Sequence, residues 1–251
     1  MSDATAFTVL AGRSVRLTRR NPDAVITALV LPVLLMLVFV YFFGGAIETG
    51  AERYVTYVAP GVLILCAGYG ASMTATTVSH DMTNGIIDRF RSMDTSGTAV
   101  LTGHVVASVV RNAAATAAVL GAAFAIGFRP HAGAAGWLAA SGILLLYITT
   151  LSWLGAAAGL LARTPEAAGG FTFVMLFLPY PSSAFVPIDT MPGWLHGFAD
   201  NQPVTPVIES LRALLLDRPA GDSPWLATAW CLGLLAVTLP LCALLFRRRT
   251  A

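Results

Sequence analysis

No lysine occurs among the 251 residues, so all 15 basic side chains are arginine. A phosphate-cradling P-loop needs G-x-x-x-x-G-K-[ST], whose ammonium group reaches the terminal phosphates. That motif is impossible here, as is a Schiff-base lysine, and the chain cannot hydrolyse ATP by this device. Charge of either sign is scarce: Asp, Glu, Lys and Arg fill 11% of positions, against about 25% in soluble domains. The net charge of +2 is too small to call for nucleic acid as a partner. Cysteine is limited to Cys66, Cys231 and Cys242. Each lies in an apolar run and no pair has metal-ligand spacing, so they read as small packing residues. His80-Asp81 is not H-E-x-x-H, no G-x-S-x-G places a nucleophile, and no paired acids lie within an apolar run. An enzyme is not expected, nor a metal or cofactor bound by this chain. Residues 1–23 lack the apolar core of a cleaved secretory signal.

What is abundant is apolar length. Hydrophobic residues make up 56% of the chain and the mean hydropathy is +0.73. Six runs, near 24–43, 58–78, 104–128, 137–162, 167–185 and 225–246, reach the roughly 20 residues that cross about 30 Å of hydrocarbon. The expected fold is therefore all-α integral membrane, one transmembrane domain over residues 1–251 with six spans. The run 167–185 is the weakest, because it opens on Ala167-Ala168-Gly169-Gly170. Arginine sets the orientation. With both termini cytoplasmic, ten arginines (Arg13, Arg16, Arg19, Arg20, Arg89, Arg91, Arg163, Arg247, Arg248 and Arg249) fall inside and four (Arg53, Arg129, Arg212 and Arg218) outside.

Three segments are neither spans nor short loops. Along residues 5–20, Phe7, Leu10, Ala11, Val15 and Leu17 fill one helical arc and Arg13, Arg16, Arg19 and Arg20 the opposite one, with Val9 the exception. This pattern suits an interfacial amphipathic helix on anionic lipid, the alternative being an ordinary positive-inside flank. Asn21-Pro22-Asp23 breaks it. In the cytoplasmic loop 79–97, Ile86, Ile87, Phe90 and Met93 share a face after Asn84-Gly85, with Asp88, Arg91 and Ser92 opposite. Such a short helix either docks into a groove on a soluble partner or rests on the membrane. In 186–224, Met191-Pro192-Gly193-Trp194-Leu195 and Phe198 make one short amphipathic piece. Thr205-Pro206 reads as a helix start before the stripe Val207, Ile208, Leu211, Leu214 and Leu215. An external helical hairpin is expected there, dipping back into the bilayer, as a stabilising cap or as part of substrate release.

None of the six runs contains an acid, whereas ion-coupled transporters place Asp or Glu within spans. Only His104 and Arg111 fall inside the expected limits. Arg111 lies about 10 Å in from residue 104 at 1.5 Å per residue and is expected to snorkel to the interface; a substrate or subunit contact is the alternative. Ala117, Gly121 and Ala125, and the pair Gly155 and Gly159, have the spacing that lets helix backbones approach, within the chain or against a second copy.

Four stretches of the sequence are similar to the membrane subunits of type-2 ABC exporters, most of all the daunorubicin-resistance permease group. They are Asn21-Pro22-Asp23-Ala24 with Phe43-Gly44-Gly45-Ala46-Ile47; Tyr54-Val55-x-Tyr57-x-x-Pro60-Gly61; Gly85-Ile86-Ile87-Asp88-Arg89-Phe90-Arg91-Ser92-Met93; and Phe185-Val186-Pro187-Ile188-Asp189-Thr190-Met191-Pro192-Gly193-Trp194-Leu195 followed by Gln202-Pro203-Val204-Thr205-Pro206. The resemblance implies an exporter permease in a bacterial plasma membrane, moving hydrophobic drugs, natural products or lipid-like molecules. It also implies a second copy or a paralogous permease, and two P-loop ATPase subunits that use ATP and Mg. In that scheme residues 5–20 are the interfacial connecting helix. Ile86, Ile87, Asp88, Arg89, Phe90, Arg91 and Met93 belong to the coupling helix seated in the ATPase, and 186–216 form the re-entrant hairpin. Met93-Asp94 departs from the small, proline-containing turn the family carries after this helix. An ion-coupled secondary transporter and a non-transporting membrane scaffold are the alternatives.

Overall fold

The structure is a computed structural model that describes residues 22–45, 47, 53–84 and 97–250; for 22–29, 97–99 and 250 it describes the backbone alone. Every regular element among the described residues is helical. Helix α1 (Pro22–Val38) runs into a π turn at Phe39–Phe43. Then come α2 (Tyr54–Thr83), α3 (Gly97–Ile126) and α4 (Ala134–Leu161). Two short helices follow, α5 (Pro165–Gly169) and α6 (Phe171–Phe177). A 3-10 turn at Ile188–Thr190 leads to α7 (Gly193–Asn201), α8 (Val204–Leu215) and the long α9 (Ser223–Thr250).

Among the described residues, four helices are long and apolar enough to cross a membrane: Tyr54–Thr83, Val100–Ile126, Ala134–Leu161 and Ser223–Arg249. Tyr54–Thr83 and Ser223–Arg249 contain the runs 58–78 and 225–246, whereas Val100–Ile126 and Ala134–Leu161 begin before the runs 104–128 and 137–162 and end one or two residues short of them. The first run lies in α1 and its π turn, a helical stretch from Pro22 to Phe43 that is apolar over Val30–Phe43. The run 167–185 differs from expectation. It is not one continuous helix: α5 and α6 meet at Gly169-Gly170, and turns follow from Leu178. Glycine weakens a helix interior, and Pro179 and Pro181 lack the N–H a continuing helix would need. At the start of this segment the Thr164 hydroxyl accepts from Ala167 N at 3.2 Å, ahead of Pro165 at the first helical position.

Helix α2 is the axis of the bundle. Its most apolar window is 89% buried, against 22% for α3 and for α9, and α1, α3, α4, α5, α6 and α8 all pack on it. Apolar burial gives little drive for helix association within lipid, where close van der Waals contact matters more. That contact is visible in the fourth helix. A methyl group added at Gly155 would overlap Ala71 O, and one at Gly159 would overlap Ala75 O. The G-x-x-x-G spacing is thus used within the chain, to seat α4 on α2. Gly61 is similarly close: an added Cβ would lie 2.7 Å from Ala184 O. The second small-residue series is different. Ala117, Gly121 and Ala125 of α3 are exposed, with nothing within 4 Å of Gly121.

Among the long helices α2, α4 and α9 run one way and α3 runs the other. One end of the bundle gathers the C-termini of α2, α4 and α9 and the N-terminus of α3, and there Arg249 Nη2 donates to Ala162 O. The other end holds the start of α2, the α3–α4 turn and the α7–α8 hairpin. In that turn Gly127 adopts φ +112°, the left-handed conformation that ends helices. Nearby, His131 N and Ala132 N donate to Leu215 O at 3.1 and 3.2 Å.

Replacing Gly155 or Gly159 with leucine should cost about 1–3 kcal/mol, the usual penalty of overpacking. Gly121→Leu should cost almost nothing. Unfolding in detergent micelles measures all three, and equal losses would contradict this assignment of the small-residue faces.

Candidate functional site

Three polar features organise the bundle around α2. The first lies at the end where 85–96 joins α2 to α3. His104 Nε2 of α3 is 3.2 Å from Asp81 Oδ2 of α2, and both side chains are at least nine-tenths buried. Asp81 was expected in a loop; the helix continues past it to Thr83 and buries it. On the exposed side of the same turn His80 Nε2 and Asn84 Nδ2 are 2.8 Å apart.

Midway along α2 is a second feature, a polar seam shared by three helices. Ser152 Oγ of α4 donates to Ile148 O at 2.7 Å and lies 2.9 Å from Ser108 Oγ of α3. Asn112 Nδ2 donates to Ser108 Oγ at 3.4 Å, and Ser108 Oγ is 3.5 Å from Gly70 O. A side chain at Gly70 would collide with the Asn112 amide, so glycine is what admits the seam. Arg111 belongs here: its Nη2 donates to Gly70 O and to Thr74 Oγ1, each at 3.2 Å. It stands fifteenth of the 30 residues of α3, because the helix begins at Gly97 rather than near 104. The expected snorkelling geometry is therefore replaced by a sideways reach across the middle of the bundle.

Arg212 of α8 makes the third feature and pins the hairpin. Its Nη1 is 2.7 Å from Glu209 Oε1. Its Nη2 donates to Ser183 O at 2.6 Å and Tyr57 O at 3.2 Å, and its guanidinium carbon lies 3.8 Å from the Tyr57 ring centroid. The arrangement combines charge-assisted hydrogen bonds with a cation–π contact. Beside it Tyr54 Oη donates to Phe185 O at 2.9 Å, and Phe185 stacks on Phe39 at 4.2 Å between centroids. Phe39 opens the π turn of α1, so that turn meets the segment after α6 through this stack. Two short helices, α7 and α8, stand where the hairpin was expected; α8 starts at Val204, and Thr205 Oγ1 donates to Ala199 O at 2.5 Å instead of capping. Trp194 and Phe198, one turn apart on α7, are exposed.

The sequence-predicted docking residues Ile86, Ile87, Asp88, Arg89, Phe90, Arg91 and Met93 lie outside the described residues, as do Arg13, Arg16, Arg19 and Arg20 of the interfacial segment. Cys66, Cys231 and Cys242 are free and buried. Sequence reasoning missed the Asp81–His104 pair, whose partners are 23 positions apart with no local pattern linking them. It counted Arg212 as a surface charge, although its place one turn after Ile208 and beside Leu211 put it at the margin of the buried stripe.

A lysine-free bundle of long apolar helices, with polar groups turned inward at both ends and mid-depth, fits a membrane transport component. The profile of the ABC-2 type transporter family matches residues 5–216. The chain belongs to the ABC-2 type transporter family. Among its relatives is the daunorubicin resistance ABC transporter permease protein DrrB1 of Streptomyces coeruleorubidus, 30% identical over 240 residues, or 95% of this chain and 85% of the relative. The probable doxorubicin resistance ABC transporter permease protein DrrC of Mycobacterium tuberculosis is 24% identical over 237 residues, 91% of this chain and 83% of that protein. The doxorubicin resistance ABC transporter permease protein DrrB of Mycobacterium tuberculosis is 28% identical over 190 residues, 73% and 65%. This ABC-2 permease is accordingly a membrane protein with bacterial relatives.

Arg212→Ala should destabilise the permease by about 1.5–3 kcal/mol, the range for hydrogen bonds to a charged group. Arg212→Lys should recover part of that loss in the same denaturation assay. A double-mutant cycle on Asp81→Ala and His104→Ala should give a coupling of about 0.5–3 kcal/mol; additive effects would mean that the contact contributes nothing.

Proposed function

We propose that the chain is the membrane-spanning subunit of an exporter driven by ATP that a separate P-loop ATPase hydrolyses, with Mg as that partner's cofactor. Membership of the ABC-2 family over residues 5–216 carries this reading, and the absence of lysine supports it, since no P-loop can form on this chain. The cargo is a hydrophobic drug, natural product or lipid-like molecule, in keeping with the drugs in the relatives' names. The proposed topology has six spans, with α5, α6 and the turns after them making the fifth, termini in the cytoplasm and the α7–α8 hairpin outside. Two such permeases, identical or paralogous, pair with two ATPases, and residues 5–20 lie in the cytoplasmic headgroup layer.

Residues 86–93 are proposed as the coupling helix, with Ile86, Ile87, Phe90 and Met93 seated in the ATPase groove and Asp88, Arg89 and Arg91 at its rim. The Asp81–His104 contact supports the mechanical part of this reading. It ties α2 to α3 on either side of the segment, so a push on 86–93 reaches both helices together. An ion-coupled transporter is disfavoured because the apolar windows of the spans hold no acid.

Charge reversal at Arg91 should weaken co-purification of the partner ATPase by about tenfold and abolish stimulated ATP hydrolysis, since close interfacial charge pairs couple by about 1.5 kcal/mol or more. Intact assembly and intact stimulation in Arg91→Glu would remove the coupling assignment. Transport that continues when the membrane potential is collapsed, with ATP present, separates this reading from the ion-coupled alternative.

A further inference from the structure

Among the described residues Arg111 has no counter-ion. It stands roughly 21 Å along α3 from Gly97, near the middle of a helix long enough to cross about 30 Å of hydrocarbon. Nη2 serves Gly70 O and Thr74 Oγ1, and both acceptors are neutral. The Nε–H is buried with no partner. A guanidinium carries five N–H donors, and Nη1 adds no hydrogen bond among the described residues. Among these residues no Asp or Glu pairs with it. A charge at such depth is costly unless an opposite charge and further hydrogen bonds meet it.

The side chain is half-buried, so one side of it stays open. Around that opening α3 exposes Val110, Ala113 and Ala114, all apolar or small. From α2 come the half-exposed Tyr69 and Met73 and the exposed Thr77 and His80. These α2 positions recur at helical spacing and form one face from the level of Gly70 to the end joined to residues 85–96. The Thr77 hydroxyl is occupied by Met73 O at 2.7 Å. The Tyr69 phenol lies within electrostatic reach of the guanidinium. Behind Arg111, Ser108, Asn112 and Ser152 satisfy one another and hold the seam closed. The open side therefore joins one unneutralised guanidinium and one phenol to an apolar surface.

We infer that Arg111 binds the anionic group, a carboxylate or phosphate, of an amphiphile whose apolar part lies along the α2–α3 face, with Tyr69 as a second donor. Nη1 is the donor left for a ligand, since Nη2 is engaged and Nε is buried, and a charge-assisted hydrogen bond from it suits an oxyanion. This rests on the permease reading and gives the cargo a charge. The same chemistry is offered by a phospholipid headgroup drawn inward, so the test separates the two sources.

The full chain, purified in dodecyl maltoside, is titrated with dodecyl phosphate and with dodecyltrimethylammonium. Saturable binding of the phosphate, and none of the ammonium, is expected. Arg111→Gln should weaken phosphate binding by about tenfold or more, the scale of a hydrogen bond to a charged group, whereas Arg111→Lys and Tyr69→Phe should lose less. Displacement by phosphatidylglycerol but not phosphatidylcholine would assign the anion to a lipid headgroup, and resistance to both would assign it to a single-chain cargo. Equal binding of the two dodecyl probes by the wild-type chain overturns the site even if Arg111→Gln fails to fold. Unchanged phosphate binding in Arg111→Gln overturns it too, as does a change in oligomeric mass, which would show a second copy satisfying the guanidinium. No ATPase takes part, so failure here leaves the coupling experiment on Arg91 unaffected.

Discussion

Backbone-to-backbone approach along α2 is the constraint on which the rest of the permease depends. A helix at the centre of a membrane bundle gains little by hiding apolar side chains from lipid, so its neighbours must come close enough for dispersion to act. Gly155 and Gly159 bring α4 against the carbonyls of Ala71 and Ala75, and Gly61 brings the segment after α6 against α2. At Gly70 the missing side chain does something different. It frees a carbonyl and a space that Asn112, Ser108 and Arg111 fill with polar atoms. The same narrowness that packs the helix also admits its polar seam.

The hairpin end is held by a contrasting principle. There the contacts are long-reach and directional: Arg212 spans α8, α2 and Ser183, and Gln202 Nε2 donates to Pro181 O. Residues 178–186 have turns in place of a helical ladder, so their carbonyls need donors from elsewhere. Arg212, Gln202 and Tyr54 supply them. Some buried polar atoms nearby have no protein partner, namely Ser183 Oγ, Gln202 Oε1 and Arg212 Nε.

How much of this was legible in the sequence depends on which interaction decides each element. Hydropathy placed the runs 58–78, 137–162 and 225–246, because length and apolarity alone determine those helices. It missed the extensions of α2 to Tyr54 and Thr83, which rest on Tyr54 meeting Phe185 O and Asp81 meeting His104, both distant in sequence. It read 167–185 as a span since those residues are apolar, although Gly169, Gly170, Pro179 and Pro181 were visible breakers. The spacing of Gly155 and Gly159 announced a close helix contact but not its partner, as periodicity names a face and never what faces it. The depth of Arg111 was misjudged for a similar reason: glycine and threonine at Gly97, Thr98, Thr102 and Gly103 obscured a helix that already includes Val100 and Leu101. The residues of the proposed coupling and interfacial helices lie outside the described part of the chain, so their reading still rests on pattern and resemblance.

The continuity of α2 has a mechanical consequence. From Tyr57 under Arg212 to Asp81 beside His104 the helix covers about 36 Å at 1.5 Å per residue, enclosed over most of that length. A rod gripped on nearly all sides has no room to flex, so rotation imposed at one end reappears at the other. The bundle around α2 then turns as one body, and changes of shape are left to its outer surfaces, where most of α3 and α9 is exposed.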